Sequence, residues 1–318
     1  MVVSCGDRKE KKEQKLDAHG IVVPVFNADS AYGFVAKQVA FGPRIPNTKA
    51  HLETGDFIIS VLKKYGASTT IQEFQASAFD GQNLSLRNII ASYNPKKKKR
   101  VLLAAHWDTR PFADKDPTNP QASFEGANDG ASGVAVLLEI ARHLGQGHQP
   151  EVGVDLIFFD GEDWGEKNDA TNHRPTPAGK DSWWCLGSQH WSKNKHKANY
   201  QAQYGIVLDM VGAHNAHFFQ EGNSVLYAPR VVDKVWDVAT RLGYSSVFIR
   251  QKEEAITDDH LFVNELARIP TIDIVHFEPG YGFFGKAHHT QNDNLSLISK
   301  ETLGMVGQVL MHVIYFEE

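Results

Sequence analysis

The chain has 318 residues, 42% of them hydrophobic and 22% charged, a balance typical of globular proteins that bury a large core, and one that excludes wholesale disorder. A net charge of -5 provides no field to gather nucleic acid, and two cysteines, Cys5 and Cys185, cannot build a disulfide framework. No stretch reaches the roughly 18 to 20 apolar residues of a membrane-spanning helix, and the length favours one α/β domain over residues 21–318.

Residues 1–20 are charged and short of large apolar groups, so they read as a flexible tether. Within them, Val2-Val3-Ser4-Cys5-Gly6 and the polar run 7–15 resemble a bacterial lipobox with its spacer, although the apolar segment that should precede such a cysteine is missing. The favoured expectation is a trimmed lipoprotein with a lipid anchor at Cys5. It would lie outside the cytoplasm, in the bacterial periplasm or held at a membrane.

Order is expected to begin with two helices. Asn27 to Ser30 offers N-cap chemistry before Tyr32, Val35 and Val39; Asn47-Thr48 does so before Leu52, Ile58 and Leu62, with Gly66 as the stop. Residues 69–79 and 84–93 flank Asp80-Gly81, which suits the φ > 0 positions of a turn, so a hairpin is predicted. The basic run 96–100 reads as a solvated hairpin loop. Strands then follow at 101–105, 154–159, 206–208 and 271–275, and helices at 134–144, 229–242 and 299–316. Alternation of this kind predicts an α/β three-layer sandwich, with helices flanking a central, twisted, mixed but mostly parallel sheet.

Polar residues gather where these apolar strands end. The first strand runs into His106 and Asp108, the second into Asp160, Glu162 and Asp163, the third into Asp209 and the fourth into His276. Two loops add Asn128-Asp129-Gly130 and His288-His289-Thr290. Ligands of open α/β sheets bind beyond the carboxyl ends of the strands, so these groups should converge there. So many acids in one crevice would resist joint ionisation without a cation, and the histidines favour zinc over all-oxygen magnesium or calcium shells. Singly, each residue has a bland reading: Asp129 as a helix cap, Glu162-Asp163 as a solvated turn, His289 as an ordinary polar residue. Their joint appearance in this order is what carries the functional reading.

The series Ala-Ala-His106-Trp-Asp108, Gly-Ala-Asn-Asp129-Gly-Ala-Ser-Gly, Phe-Phe-Asp160-Gly-Glu162-Asp163, Val-Leu-Asp209-Met-Val-Gly and His289-Thr290 resembles the zinc aminopeptidase family. The resemblance spans about residues 30–316. Asp181-Ser182, Leu186 to His190, and Thr257-Asp258-Asp259-His260 before Ile269-Pro270 resemble the glutaminyl cyclase branch in particular. That resemblance implies one zinc on Asp129, Asp163 and His289, with Glu162 moving protons and Asp209 and Asp258 as its acidic partners. His106 would stand nearby without binding metal. It also implies the N-termini of peptides or proteins as substrates, converted from glutamine to pyroglutamate with loss of ammonia.

The chain departs from the animal cyclases at three places. Asp163 replaces their second glutamate, Ala105 a cysteine, and His288 the tryptophan before the last zinc histidine. The substrate pocket is expected to be lined by His106, Trp107, Trp164, Trp183, Trp184 and His288. Residues 278–286, rich in glycine and aromatics after His276, read as a loop over the site or a surface excursion. The competing reading is a two-zinc aminopeptidase, in which Asp129 bridges, His106 and Asp209 complete one ion, Asp163 and His289 the other, and Glu162 activates water. A third is a binding protein of the same fold that has lost catalysis. A monomer is the default.

Overall fold

The computed structural model describes residues 22–147, 149–167 and 173–318. The expected tether over residues 1–20, including Cys5, lies outside the described residues. Helix α1 (Ala28–Val39) starts where Asn27 accepts the Ser30 N–H, and α2 (Lys49–Lys64) where Thr48 accepts that of His51. Gly66, at φ 75°, then turns the chain into strand β1 (Ser68–Ser77). Strand β2 (Asn83–Tyr93) returns antiparallel to it, with Ser77 opposite Asn83. The hairpin is present, and Gly81 takes its left-handed position at φ 89°.

Strands β3 (Arg100–His106), β4 (Gly153–Phe159), β5 (Tyr204–Asp209) and β8 (Thr271–Glu278) form a parallel centre in the order β4-β3-β5-β8. Beyond them, β2 pairs antiparallel with β4 on one flank, and β6 (His217–Gln220) antiparallel with β8 on the other. Strand β7 (Phe248–Lys252) extends β6, and β9 (Gly282–Phe283) pairs with the end of β8. The sheet is thus mixed: parallel at its covered centre, antiparallel where β1 meets β2, β2 meets β4 and β6 meets β8, and parallel again between β6 and β7.

Alternate residues of the central strands enter two different cores. Val101, Leu103 and Ala105 join Val154, Leu156, Ile206 and Leu208 against α1, α2, α3 (Ala131–Gln146), α6 (Pro229–Arg241) and α8 (Lys300–Tyr315). Leu102, Ala104, Ile157, Phe159 and Val207 face Trp191 of α4 (Leu186–Lys193) and the π-helical turn Val263–Ala267. This period of two produces the three layers and explains why these strands read as unbroken apolar runs. No described helix is long and apolar enough to cross a membrane.

The basic run requires a correction. Strands β2 and β3 are separated by β4, so residues 96–100 form a crossover and not a hairpin loop. Arg100 is buried and donates to Asp155 from Nε at 2.5 Å and Nη2 at 2.7 Å, which leaves only the lysines to face solvent.

Helix α3 lies close to the sheet because Gly133 has no side chain. A Cβ there would stand 2.5 Å from the Leu208 carbonyl oxygen and 2.9 Å from the Ala105 Cβ. Gly133→Ala is therefore expected to cost about 1–3 kcal/mol by overpacking, outweighing the helix propensity of alanine. Urea unfolding checks this; an unchanged midpoint would show that α3 can slide off the sheet freely.

Candidate active site

The carboxyl ends of β3, β4 and β5 open on one crevice, and buried acids fix the loops that leave them. Asp108 accepts the N–H of Glu162 at 3.1 Å and of Asp163 at 3.2 Å, tying the exit of β4 to that of β3. Gly161, at φ 71°, makes the turn between them, where a Cβ would strike Leu86 at 2.6 Å. Asp293 accepts the N–H groups of Asn128 at 2.7 Å and Asp129 at 3.0 Å. The buried Arg44 guanidinium donates to the carbonyls of Glu125, Gly126 and Asp129.

These contacts dispose of the bland reading of Asp129. The N-cap of α3 is Gly130, with no side-chain cap, so the Asp129 carboxylate is free to face the crevice. It meets His289 there, whose Nε2 lies 3.5 Å from Asp129 Oδ2 and 2.9 Å from Asp163 Oδ1. Both carboxylate oxygens are buried and accept no hydrogen bond. On the other side of the ring, His289 Nδ1 lies 3.3 Å from Asp114 Oδ1, and Asp114 is held by Arg110 at 2.6 Å. A carboxylate behind the imidazole fixes its tautomer and turns Nε2 forward as a ligand.

Electrostatics agree with a cation at this point. Burial raises the Asp163 carboxyl, Asp129 adds to the rise, and His289 offsets only part of it. Burial would also raise Asp129, but His106 and His289 outweigh it and lower that group. Two buried carboxylates and one imidazole, with free oxygens facing one nitrogen, are a donor set that suits zinc. His288 stands beside them. Its Nε2 is 3.8 Å from Asp129 Oδ2, its Nδ1 2.7 Å from Lys115 Nζ, and burial with neighbouring His289 keeps it neutral.

Glu162 sits alongside with 13% of its side chain exposed, against 2% for His106 and 8% for Asp209, so it is the group most open to the crevice. Burial pushes its carboxyl well above the ordinary range, and Asp163, Asp258 and Asp259 push it further against the opposing His106. Asp258 and Cys185 close around it, with Cys185 Sγ 3.3 Å from Glu162 Oε1. His106 Nε2 lies 3.1 Å from Asp129 Oδ1 and 3.2 Å from Asp209 Oδ1. Burial raises the Asp209 carboxyl to about 7 although His106 opposes it, so near neutrality it shares a proton.

Residues 88–314 match peptidase family M28. The chain belongs to that family. Among solved structures it is 50% identical to a Bacteroides thetaiotaomicron glutaminyl cyclase bound to N-acetylhistamine, covering 93% of this chain and 100% of that one with a TM-score of 0.88. It is 49% identical, at the same coverages and TM-score, to a Zn-dependent exopeptidase from Parabacteroides distasonis. A glutaminyl-peptide cyclotransferase of Drosophila melanogaster is 25% identical over 292 residues, 82% of this chain and 73% of that protein.

Within this M28 chain the expected aromatic lining needs correction. Trp107 is fully buried, stacked on His51 at 4.3 Å among the residues that pack against α1, α2 and α3. Following a strand-end histidine that faces the crevice, it points to the opposite side of the sheet. Trp164 is buried under the hairpin with Leu84, Leu86 and Leu186, its Nε1 donating to Asp80. Trp183 donates to the Arg174 carbonyl and lies under the Lys180 ammonium, engaged with neither metal-facing nor acidic site residues. Trp184 alone of the four reaches the centre, parallel to His289 at 6.2 Å with the Arg110 guanidinium 4.8 Å from its ring.

The residues that sequence reasoning passes over are supports. Arg44, Arg110, Asp114, Cys185 and Asp293 act through backbone or side-chain contacts to the site and lie in no strand-end run. A buried acid in a loop leaves no periodic signal; only the six closely spaced acids and bases from His106 to Asp116 hint at it.

Proposed function

We propose that this chain is a zinc-dependent glutaminyl-peptide cyclotransferase, one catalytic unit over residues 21–318, which converts the N-terminal glutamine of peptides to pyroglutamate with release of ammonia. The observation that supports this most directly is Glu162, an acid with a raised pKa, partly open to the crevice, beside the convergence of Asp129, Asp163 and His289. Those three would hold one zinc ion, which supplies electrophilic polarisation of the γ-carboxamide carbonyl when bound. Glu162 accepts a proton from the α-amine as its nitrogen bonds to the amide carbon, and returns it to the departing ammonia. A raised pKa suits both transfers. Asp209, whose carboxyl is raised to about 7, and Asp258, which lies beside Glu162, are its acidic partners in that exchange. Because the attack closes a five-membered ring, holding the bent conformer contributes much of the rate.

The two-zinc aminopeptidase has one observation in its favour, since His106, Asp129 and Asp209 also converge closely enough to hold an ion. Against it, His106 is placed to hydrogen-bond both carboxylates. Incubation of the purified protein with a glutaminyl dipeptide, measuring ammonia and zinc per chain, separates the readings. One zinc with stoichiometric ammonia is expected; two zincs with release of a free amino acid would establish the aminopeptidase. A place outside the cytoplasm and a lipid on Cys5, supported by the sequence of residues 2–15, belong to the same proposal, and so does a monomeric state.

A further inference from the structure

Next to Asp258 lies a buried network of ionisable groups that the proposed chemistry leaves unused. Its hub is Glu221, which has no exposed surface. The Glu221 carboxylate accepts the N–H groups of Asn223 at 2.7 Å, Ser224 at 2.6 Å and Ile256 at 3.0 Å, the Ser224 hydroxyl at 2.7 Å, and the His260 Nε2–H at 3.0 Å. Burial opposes its ionisation, but His260 and the backbone donors outweigh that and hold the carboxyl at about 2, so Glu221 is an anion at neutral pH.

Two of these bonds exceed what a helix cap needs. The contacts to Asn223 and Ser224 begin the short helix α5 (Gly222–Tyr227). Ile256, in contrast, lies two residues before Asp258, and His260 two residues after it. One carboxylate therefore grips the turn that presents Asp258 from both ends. Asn264 braces the same turn, donating to the His260 carbonyl at 2.9 Å and to that of Thr271 in β8 at 2.7 Å. The Asp258 carboxylate itself accepts the N–H of its next neighbour, Asp259, at the start of α7 (Asp259–Phe262), a bond internal to the turn. Its place beside Glu162 and Cys185 is thus set by where the turn is set. The His260 ring also faces the buried Asp273, with Nδ1 3.6 Å from Oδ2, and donor atoms of Asp258, His260 and Asp273 lie within 4.8 Å of one another. Burial raises the Asp273 carboxyl well above the ordinary range, and Asp258, Asp209 and Glu221 add to the rise, so Asp273 is neutral and does not repel Asp258 from its place.

We propose that Glu221 is a positioning residue for the reaction, holding the turn at 256–260 through the Ile256 N–H and the His260 ring so that the Asp258 carboxylate stays against Glu162. The inference deepens the cyclotransferase reading and takes from it only the proton-carrying role of Glu162. Proton transfer works over heavy-atom separations of about 2.6–3.2 Å, and a displacement of about 1 Å caused far from the chemistry can cost about 10²-fold in rate. Glu221 and His260 are both fully buried, so any effect they have on turnover is relayed, and Asp258 is the site acid that their grip encloses.

A double-mutant cycle on the zinc-loaded enzyme tests this, with ammonia release from a glutaminyl dipeptide as the rate. His260→Asn removes one end of the grip and leaves Glu221 its other donors. It is expected to lower kcat by about 10–10²-fold, with KM changed by less than about twofold and zinc content unaltered. In an Asp258→Asn background the same substitution should lower kcat by less than about twofold, because the group being positioned is already gone. Glu221→Gln should show the same pattern, with thermal melting to confirm that it folds; if it does not fold, the His260 cycle decides alone. Losses that multiply in full across the cycle, or a wild-type kcat in His260→Asn, overturn the positioning role. If wild type releases a free amino acid and no ammonia, the cyclotransferase reading fails separately, and the same cycle followed on amino-acid release still decides the grip on Asp258.

Discussion

Glu162→Gln is expected to retain its metal and lose turnover by a factor of about 10²–10⁴, the range for removing one acid–base group. The substitution keeps the shape and the backbone N–H that donates to Asp108. It removes a carboxylate that is partly open to the crevice and lies beside Asp258 and Cys185. As a base Glu162 must be ionised, so in wild type kcat/KM should rise with pH through the raised pKa of this group, above the roughly 4.3 of a free glutamate. That limb should vanish in Glu162→Gln. Stopped assays of ammonia with zinc analysis of the same sample measure both; zinc loss in this variant would mean that Glu162 is a ligand and Asp163 the proton carrier.

The second large effect is on the metal itself. His289→Ala should abolish stoichiometric zinc binding, because it removes the nitrogen that Asp129 and Asp163 face and leaves two buried carboxylates repelling each other. Asp114→Asn should do less, weakening zinc by about 10–100-fold, as expected when the partner behind a ligating imidazole is altered. The two variants form a graded pair, read by competition with a chromophoric chelator. Retention of zinc by His289→Ala together with its loss from His288→Ala would transfer the ligand role to the neighbouring imidazole, which also stands near Asp129.

What the sequence discloses follows from where each residue is buried. Strands β3, β4, β5 and β8 are covered on both faces and so appear as short apolar runs, and α3, α6 and α8 carry stripes at helical spacing. The short strands β6, β7 and β9 and the helices α4, α5 (Gly222–Tyr227) and α7 (Asp259–Phe262) escape the sequence. Helix α4 starts from Cys185 in the left-handed conformation with no side-chain cap, so nothing local announces it. The spatial order β2-β4-β3 is a long-range matter, which is why the basic run passes for a hairpin loop. Most of the metal-facing and acidic residues are legible because they end an apolar run or sit in a glycine-rich loop; Asp258 does neither and is legible only through the resemblance carried by Thr257 to His260. The tryptophans mislead because aromatic character near a strand end says nothing about which face it takes; at Trp107 strand alternation points the other way.

Asp108 and Asp293 each hold two consecutive N–H groups of the chain that presents a ligand or the proton carrier. Such grips make the reacting geometry independent of whatever lies outside it. A lesion at either acid would therefore be felt as a misplaced reacting group, even though neither acid itself takes part in the reaction.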